Sequence, residues 1–164
     1  MKRYIHPFEP FVDKNSKVLI LGTFPSIKSF EENFYYAHPR NQFWRLLVGV
    51  FNEEMPKSLK DKKEFLKRCG IALWDVVQSC KRQNSLDSNL KDIKPNDIKA
   101  FLKEYPNIKK IYFTSKKALK LYEKNFKDLV IEYDYLDSPS PAYAKINFEQ
   151  KLKNWKNKLG VENA

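Results

Sequence analysis

The amino-acid sequence predicts an α/β protein, a three-layer α/β/α sandwich whose central, mainly parallel four-stranded sheet lies between two layers of helices. Four short apolar segments, rich in β-branched and aromatic residues, have the composition of buried strands. Segments with apolar residues at helical spacing lie between them, and parallel strands require such crossover connections. A length of 164 residues suits one hydrophobic core. We therefore expect residues 1–164 to form a single domain.

The four predicted strands are short, so composition identifies them better than periodicity does. They cover residues 17–23, 71–77, 109–115 and 129–136. The first contains VLIL, an uninterrupted apolar run that no other run in the chain exceeds in length. In open parallel sheets, ligands bind beyond the carboxyl ends of the strands. We therefore expect the functional residues in the loops that follow these strands.

Five helices are predicted from apolar residues at helical spacing. Four of them cover residues 41–51, 57–69, 95–104 and 116–125. The fifth closes the chain, where Phe148, Leu152, Trp155 and Leu159 are separated by 4, 3 and 4 residues. This spacing places all four side chains in one stripe on a helix. We expect the stripe to pack against the core as its outer cover.

The charge of the chain favours a polyanionic partner, though only modestly. Against 20 Asp and Glu there are 31 Lys and Arg, which gives a formal net charge of +11. An excess of this size favours encounter with nucleic acid. Many of the lysines also fit a simpler role, because residues 57–68 alternate charged and apolar side chains as a solvated helix face does.

Nothing in the sequence indicates a membrane span, a secretory signal or a metal site. The longest apolar run is far shorter than the roughly 18 to 20 residues of a span, and no apolar segment follows the basic N-terminus. Cys69 and Cys80 lack metal-ligand spacing, and His6 and His38 are too few for a histidine-rich site. We expect a cytoplasmic protein with metal-independent chemistry and no cofactor.

Two loops after predicted strands carry candidate binding residues. GTFPS, residues 22–26, either brings backbone amides close to a ligand or simply connects a strand to a loop. It lacks the GxxxxGK signature of a phosphate-binding loop. LDSPSPAY, residues 136–143, is a rigid segment that suits either phosphate contacts through Ser138 and Ser140 or a surface turn.

The segment YYAHPRNQFW, residues 35–44, concentrates aromatic rings ahead of a predicted helix. Phe43 and Trp44 suit the inner face of that helix. Asn41 either caps the helix, a role worth about 1 kcal/mol, or faces a substrate with a carboxamide that both donates and accepts hydrogen bonds. Tyr36 offers its ring to a flat heterocycle. We expect His38 to brace this loop or to contact a phosphate rather than to act as a general acid.

The order of these motifs resembles that of a known enzyme family. GTFPS, FYYAHPRNQFW, LWDVV with SLDS (residues 85–88), and SPSPA occur as in the uracil-DNA glycosylase superfamily, and most resemble its hypoxanthine-DNA (deoxyinosine) glycosylase family. AHPRNQFW is the most specific piece, and the resemblance covers essentially the whole chain. It implies an α/β/α domain that flips a damaged base out of DNA and hydrolyses its N-glycosidic bond without a metal.

The resemblance also implies roles for individual residues. Sister families place an Asp or Asn inside the first motif, GTFPS, but Thr23 stands there in this chain. The hypoxanthine family is similar in lacking that residue, and the resemblance to it implies that Asn41 is the catalytic residue. The backbone amides of Thr23 and Phe24 are expected to bind the base. Tyr36, with Phe24 beside it, is expected to stack on the base. Asp75 either accepts a purine N–H, which selects hypoxanthine over adenine, or caps the following turn.

Residues of the same loops are expected to contact DNA. Residues 138–143 resemble the second DNA-binding motif of the family, which holds phosphates and enters the minor groove. The expected DNA-contacting residues are Pro25, Ser26, His38, Arg40, Ser138, Pro139, Ser140, Tyr143 and Lys145. We expect the partner to be double- or single-stranded DNA with a deaminated base, bound by a monomer.

Two other functions remain open at this point. The same fold, with one or two different pocket side chains, releases uracil or xanthine instead of hypoxanthine. A chain that kept the fold and lost hydrolysis would be a non-catalytic nucleic-acid-binding module, and Thr23 in the first motif is the departure that favours this alternative. The principal expectation is the release of hypoxanthine in base excision repair.

Overall fold

The computed structural model describes residues 2–83 and 90–160, so the SLDS motif at residues 85–88 lies outside the described residues. The strands in these ranges are β1 (Lys2–Ile5), β2 (Val18–Gly22), β3 (Ile71–Asp75), β4 (Val77–Arg82), β5 (Lys91–Pro95), β6 (Lys110–Phe113) and β7 (Glu132–Tyr135). The helices are α1 (Ile27–Glu32), α2 (Phe43–Phe51), α3 (Leu59–Cys69), α4 (Ile98–Glu104), α5 (Lys116–Asn125) and α6 (Phe148–Trp155). A π-helical turn, Lys156–Gly160, continues α6.

Four of the strands form the predicted sheet, in the order β3-β2-β6-β7. Every neighbouring pair in it is parallel, as predicted. All residues of β2 are buried because both of its faces are covered. Val18 and Ile20 pack into the core on one face, and Leu19 and Leu21 pack into the core on the other. The alternation of a buried strand thus divides the apolar core into two layers.

Helices cover both faces of this sheet, which confirms the three-layer architecture. On one face, α2, α3 and α6 contribute Phe43, Phe65 and Trp155, each at most 1% exposed. On the other face, α4 and α5 contribute Ile98 and Tyr122. The apolar stripe of the last helix packs against the first of these cores, as its spacing predicts.

The sequence did not predict a second sheet, in which β1, β4 and β5 pair antiparallel in the order β1-β4-β5. Its strands read KRYI, VQSCKR and KDIKP, and their charged residues resemble those of a solvated loop. The predicted strand at residues 71–77 is also divided, because β3 ends at Asp75 and Val77 begins β4. A hydrogen bond from Val77 N to Thr23 O, at 3.0 Å, fixes this change of direction beside the end of β2.

Helix α5 has the predicted bounds, whereas α2, α3 and α4 end where predicted but begin two or three residues later. Helix α2 begins at Phe43 with Gln42 at its N-cap, rather than with Asn41 there. Helix α1 was not predicted from the sequence, and Ser26 caps it by accepting a hydrogen bond from Ser29 N at 3.1 Å. None of the helices in the described ranges has the length and apolar character that crossing a bilayer requires.

Candidate active site

The carboxyl ends of three neighbouring strands bring polar groups together over Gly22. The parallel register pairs Gly22 with Asp75, and Thr114 directly follows β6. A Cβ atom on Gly22 would lie 2.6 Å from Asp75 Oδ1, 3.2 Å from Tyr36 Oη and 3.6 Å from Thr114 Oγ1. We call these four residues the polar cradle. The sequence predicted the site at this edge of the sheet and named Tyr36 and Asp75, but it did not name Thr114 individually.

Tyr36 is held rigidly at one side of the polar cradle. Its ring is stacked on the buried ring of Phe43, with centroids 3.9 Å apart and planes 7° apart. Its hydroxyl shares a hydrogen bond of 3.0 Å with Thr114 Oγ1. The backbone of Tyr36 has a φ of 54°, in the left-handed region that non-glycine residues rarely adopt. The surrounding contacts therefore hold the ring in one orientation.

The carboxylate of Asp75 is buried and bound by a residue that the sequence analysis did not connect with it. Asp75 Oδ2 lies 2.8 Å from His6 Nε2, and the two side chains are 6% and 5% exposed. Among the described residues, the side chain of Asp75 bonds to His6 and not to the backbone of the next turn. His6 Nδ1 lies 2.9 Å from Phe8 O. The capping role considered for Asp75 is therefore not formed, whereas a role in base recognition remains compatible with its position.

Polar contacts at both ends hold the loop that follows β2. Thr23 is buried, and its hydroxyl shares a hydrogen bond of 2.6 Å with Ser115 Oγ. At the other end, Arg82 donates to Pro25 O at 2.5 Å. The guanidinium of Arg82 lies 4.9 Å from the centroid of the Phe24 ring, within reach of a cation–π interaction. Sequence reasoning missed Arg82 because it lies 57 positions from its partner Pro25.

Asn41 has one end of its carboxamide fixed. Asn41 Oδ1 accepts a hydrogen bond from Phe43 N at 2.9 Å, so the side chain satisfies an amide of the first helical turn. Asn41 N donates to His38 O at 2.9 Å, and Arg40 N donates to His38 Nδ1 at 3.1 Å. The Nδ2 group of Asn41 makes no hydrogen bond with the described residues. His38 thus accepts two hydrogen bonds from the backbone of its own loop.

The buried Lys151 connects residues 35–42, which we call the Asn41 loop, with residues 136–143, which we call the serine-rich loop. Its side chain, on α6, donates to Gln42 Oε1 at 2.8 Å and to Ser140 O at 3.2 Å. Its Nζ also lies 5.3 Å from the centroid of the Tyr143 ring. Gln42 N donates to Pro139 O at 2.8 Å, which joins the same two loops through their backbones. One lysine and one backbone bond therefore fix the position of one loop relative to the other.

Burial lowers the pKa of Lys151 from the ordinary value of a lysine, and the nearby carboxylate of Asp137 opposes this shift. The residue is 1% exposed, so its ammonium is satisfied by the protein rather than by water. The sequence analysis did not single out Lys151, because it is one of 31 basic residues and has no distinctive neighbours.

The other predicted DNA-contacting residues differ in exposure. His38, Arg40 and Lys145 are exposed, whereas Pro25 and Pro139 are buried. Ser138 and Ser140 are half-buried, and their hydroxyl oxygens accept hydrogen bonds from Ser140 N and Ala142 N, each at 3.2 Å. Each hydroxyl keeps its own proton for donation to another group.

Two further features lie outside this site. A cleft of about 470 Å³ beside α3 is lined by Asn52, Glu53, Glu54, Met55, Pro56, Asp61, Glu64, Phe65 and Arg68. Its carboxylates make it a poor site for a polyanion. Cys69 and Cys80 are buried, and burial raises the pKa of Cys69 to about 12. In the described part of the chain, no three His, Cys, Asp or Glu residues lie together as metal ligands would.

Gly22→Ala is expected to destabilise the protein because its methyl group would overlap Asp75 Oδ1. Gly22 and the Asp75 carboxylate are both buried, so either the carboxylate or β2 must shift to make room for the methyl group. Overpacking of this kind costs about 1–3 kcal/mol. Thermal unfolding should show a melting temperature lower by several degrees. Gly160→Ala is the matched control, since nothing lies within 4 Å of the Cβ it adds. An equal melting temperature for the two variants would contradict the close contact over Gly22.

The chain matches the family model of the Uracil DNA glycosylase superfamily over residues 9–160. It is 38% identical over 112 residues to a hypoxanthine DNA glycosylase of Methanosarcina barkeri, covering 68% of this chain and 71% of the relative. It is 35% identical over 136 residues to a hypoxanthine DNA glycosylase of Methanosarcina acetivorans, covering 82% of this chain and 85% of the relative. A solution NMR structure of a candidate uracil DNA glycosylase from Methanosarcina acetivorans has a TM-score of 0.81 and 31% identity, covering 93% of this chain and 94% of that chain. The residues matched by the family model include every strand of the parallel sheet and the loops at its carboxyl edge.

Proposed function

Because this chain belongs to the uracil DNA glycosylase superfamily, we propose that it excises hypoxanthine from deoxyinosine in DNA. It is a DNA glycosylase, a hydrolase of N-glycosyl bonds that acts on deaminated bases. The observation that carries the choice of base is the position of Asp75 Oδ1 at the polar cradle. The names of the two relatives from Methanosarcina support the same choice.

In this proposal, Asp75 distinguishes bases by whether N1 of the ring carries a proton. A carboxylate oxygen accepts hydrogen bonds and does not donate them. Hypoxanthine carries a proton on N1, whereas adenine presents a lone pair there, so Asp75 Oδ1 attracts the first base and repels the second. The backbone amides of Thr23 and Phe24 donate to acceptors of the base and to the negative charge that develops on it as it leaves. Uracil and xanthine also carry ring N–H groups, and their release is therefore measured beside that of hypoxanthine.

Tyr36 supplies the stacking surface for the flipped base. The ring of Phe43 covers one side of it, so a base stacks on the opposite side. Flipping costs a few kcal/mol of unstacking, and stacking on an aromatic side chain returns about 1–3 kcal/mol per base. The hydroxyl bond to Thr114 keeps the ring in place before the base arrives, so little ordering is needed when the base binds.

Asn41 acts at the glycosidic bond. Its Oδ1 has two lone pairs, of which one accepts the hydrogen bond from Phe43 N. The second lone pair accepts a hydrogen bond from the attacking water, and the negative end of the carboxamide dipole faces the positive charge that develops on the sugar. Because the bond to Phe43 N fixes the carboxamide in advance, little reorganisation is required in the transition state.

The two loops joined by Lys151 bind the DNA backbone around the flipped nucleotide. Exposed Arg40, His38 and Lys145 contact phosphates, and the hydroxyls of Ser138 and Ser140 donate to phosphate oxygens. The buried Pro25 and Pro139 act by shaping their loops, while Ser26 caps α1 and Tyr143 lies beside Lys151. These residues belong to one chain, and we propose that the enzyme works as a cytoplasmic monomer.

Base release from matched duplexes tests the proposed function. Labelled duplexes that differ only in one hypoxanthine, uracil, xanthine or normal base are incubated with the protein in EDTA, and abasic sites are then cleaved. We expect preferential release of hypoxanthine, because the N1–H group pairs with Asp75. Release of uracil alone would assign the chain to another specificity of the superfamily. No release from any duplex would favour a non-catalytic DNA-binding module.

A further inference from the structure

His6 and Asp75 form a buried, hydrogen-bonded pair. His6 follows β1 in the small sheet, whereas Asp75 ends β3 in the parallel sheet, so the pair joins the two sheets. Their side chains are 5% and 6% exposed, and Nε2 and Oδ2 are 2.8 Å apart. Only one oxygen of Asp75 is used in this way, and the other, Oδ1, lies at the polar cradle.

The geometry requires a proton between the two residues. Phe8 O, 2.9 Å from His6 Nδ1, is a carbonyl oxygen that can only accept, so Nδ1 carries a hydrogen. If Nε2 and the carboxylate were both unprotonated, two lone pairs would face each other at 2.8 Å. One proton must therefore lie on the line from Nε2 to Oδ2. It belongs either to an imidazolium beside a carboxylate or to a carboxylic acid beside a neutral imidazole.

Among the described residues, the rings that pack against the His6 imidazole offer this proton no alternative position. The rings of Phe8 and Phe24 lie against His6, with centroids 4.9 Å and 5.9 Å from the imidazole. Tyr35 is the titratable neighbour, at 5.9 Å, and burial together with the Asp75 carboxylate raises its pKa well above the ordinary value. Its hydroxyl therefore stays protonated and donates to Glu9 O at 3.3 Å.

We infer that His6 is a specificity-determining residue that makes Asp75 a hydrogen-bond acceptor, and never a donor, towards the base. In both arrangements the shared proton lies at Oδ2, so Oδ1 faces the polar cradle with lone pairs only. A buried carboxylic acid without this partner could carry its proton on Oδ1 and donate to an unprotonated ring nitrogen such as N1 of adenine. His6 thus excludes normal adenine by fixing the proton on the far side of Asp75. The inference rests on the proposed role of Asp75 in base reading.

His6→Leu and His6→Gln test this inference in single-turnover release of hypoxanthine and adenine from otherwise identical duplexes. In His6→Leu, no donor fixes a proton at Oδ2, so a proton on Asp75 can occupy Oδ1. We expect the ratio of hypoxanthine release to adenine release to fall by about 10-fold or more, the discrimination of one well-placed hydrogen-bonded pair. His6→Gln donates an amide N–H to Oδ2 and should keep the ratio near that of the unmodified protein.

The possible outcomes separate the inference from the proposed function. An equal loss of both activities in His6→Leu would show a merely structural residue and overturn the inference alone. No release of hypoxanthine by the unmodified protein would overturn both. Should His6→Leu fail to fold, NMR of the unmodified protein with ¹⁵N-labelled histidine decides. A solvent-protected proton hydrogen-bonded to His6 Nε2 is expected, and its absence would overturn the inference.

Discussion

Asn41→Ala is expected to lower single-turnover release of hypoxanthine by about 100-fold to 1,000-fold, the usual effect of removing one preorganised polar group from a transition state. The affinity for duplex DNA should change little, because the proposed phosphate contacts come from other residues of the two loops. The reason lies in the geometry of the carboxamide, whose Oδ1 is held by Phe43 N at 2.9 Å before substrate binds. Rates at saturating enzyme, together with equilibrium binding to an undamaged duplex, measure the two effects separately.

Two variants sharpen this result. Asn41→Asp keeps an oxygen that accepts from Phe43 N and from water, so it should retain more activity than Asn41→Ala. Asn125→Ala is a matched control, because the exposed Asn125 also makes one hydrogen bond to the backbone, with Leu121 O at 2.8 Å, but lies at the end of α5. It should keep full activity. Turnover by Asn41→Ala close to that of the unmodified protein would remove Asn41 from the catalytic role.

Most of the parallel sheet could be predicted from the sequence because β2, β3 and β6 are largely buried and therefore apolar, whereas the edge strand β7 is mostly exposed. The small sheet could not, since β1 and β5 are partly exposed and carry charges that read as loop residues. The division of the segment at residues 71–77 depends on hydrogen bonds to the end of β2, which local composition does not encode. Sequence patterns thus specify the elements that bury apolar faces, and tertiary pairing specifies the rest.

The candidate site, like the fold, contains some residues that the sequence pattern marks and others that only tertiary contacts bring into place. Tyr36, Asn41 and the serine-rich loop belong to compact motifs, so the sequence identified them directly. His6 and Lys151 act through partners 69 and 109 positions away, and no spacing along the chain marks such contacts. Their roles follow from the fold, because it brings the ends of distant segments to one edge of the sheet.

Lys151→Met is expected to reduce hypoxanthine release by about 10-fold to 100-fold, since small displacements of catalytic groups have effects of this size. Gln42 Oε1 and Ser140 O lose their shared donor, and Gln42 directly follows Asn41. Stability should change little, because burial of the ammonium is itself unfavourable, as its lowered pKa shows. Thermal unfolding and single-turnover rates measure the two quantities. Lys153→Met, an exposed position on the same helix, is the control and should leave both unchanged.

The pH dependence of this effect distinguishes positioning from general structural support. The pKa of Lys151 is lowered in the folded protein, so between that value and the ordinary 10.5 the unfolded chain binds more protons than the folded one. The contribution of Lys151 to stability therefore rises with pH in this range and is lost as pH falls through the folded pKa. Activity should instead fall as pH rises through this range, because a neutral amine has fewer protons to donate to Gln42 and Ser140. The ratio of unmodified to Lys151→Met activity should thus be largest near neutral pH and shrink as pH rises towards 10.5. A constant ratio would show that the charge of Lys151 does not hold the two loops together.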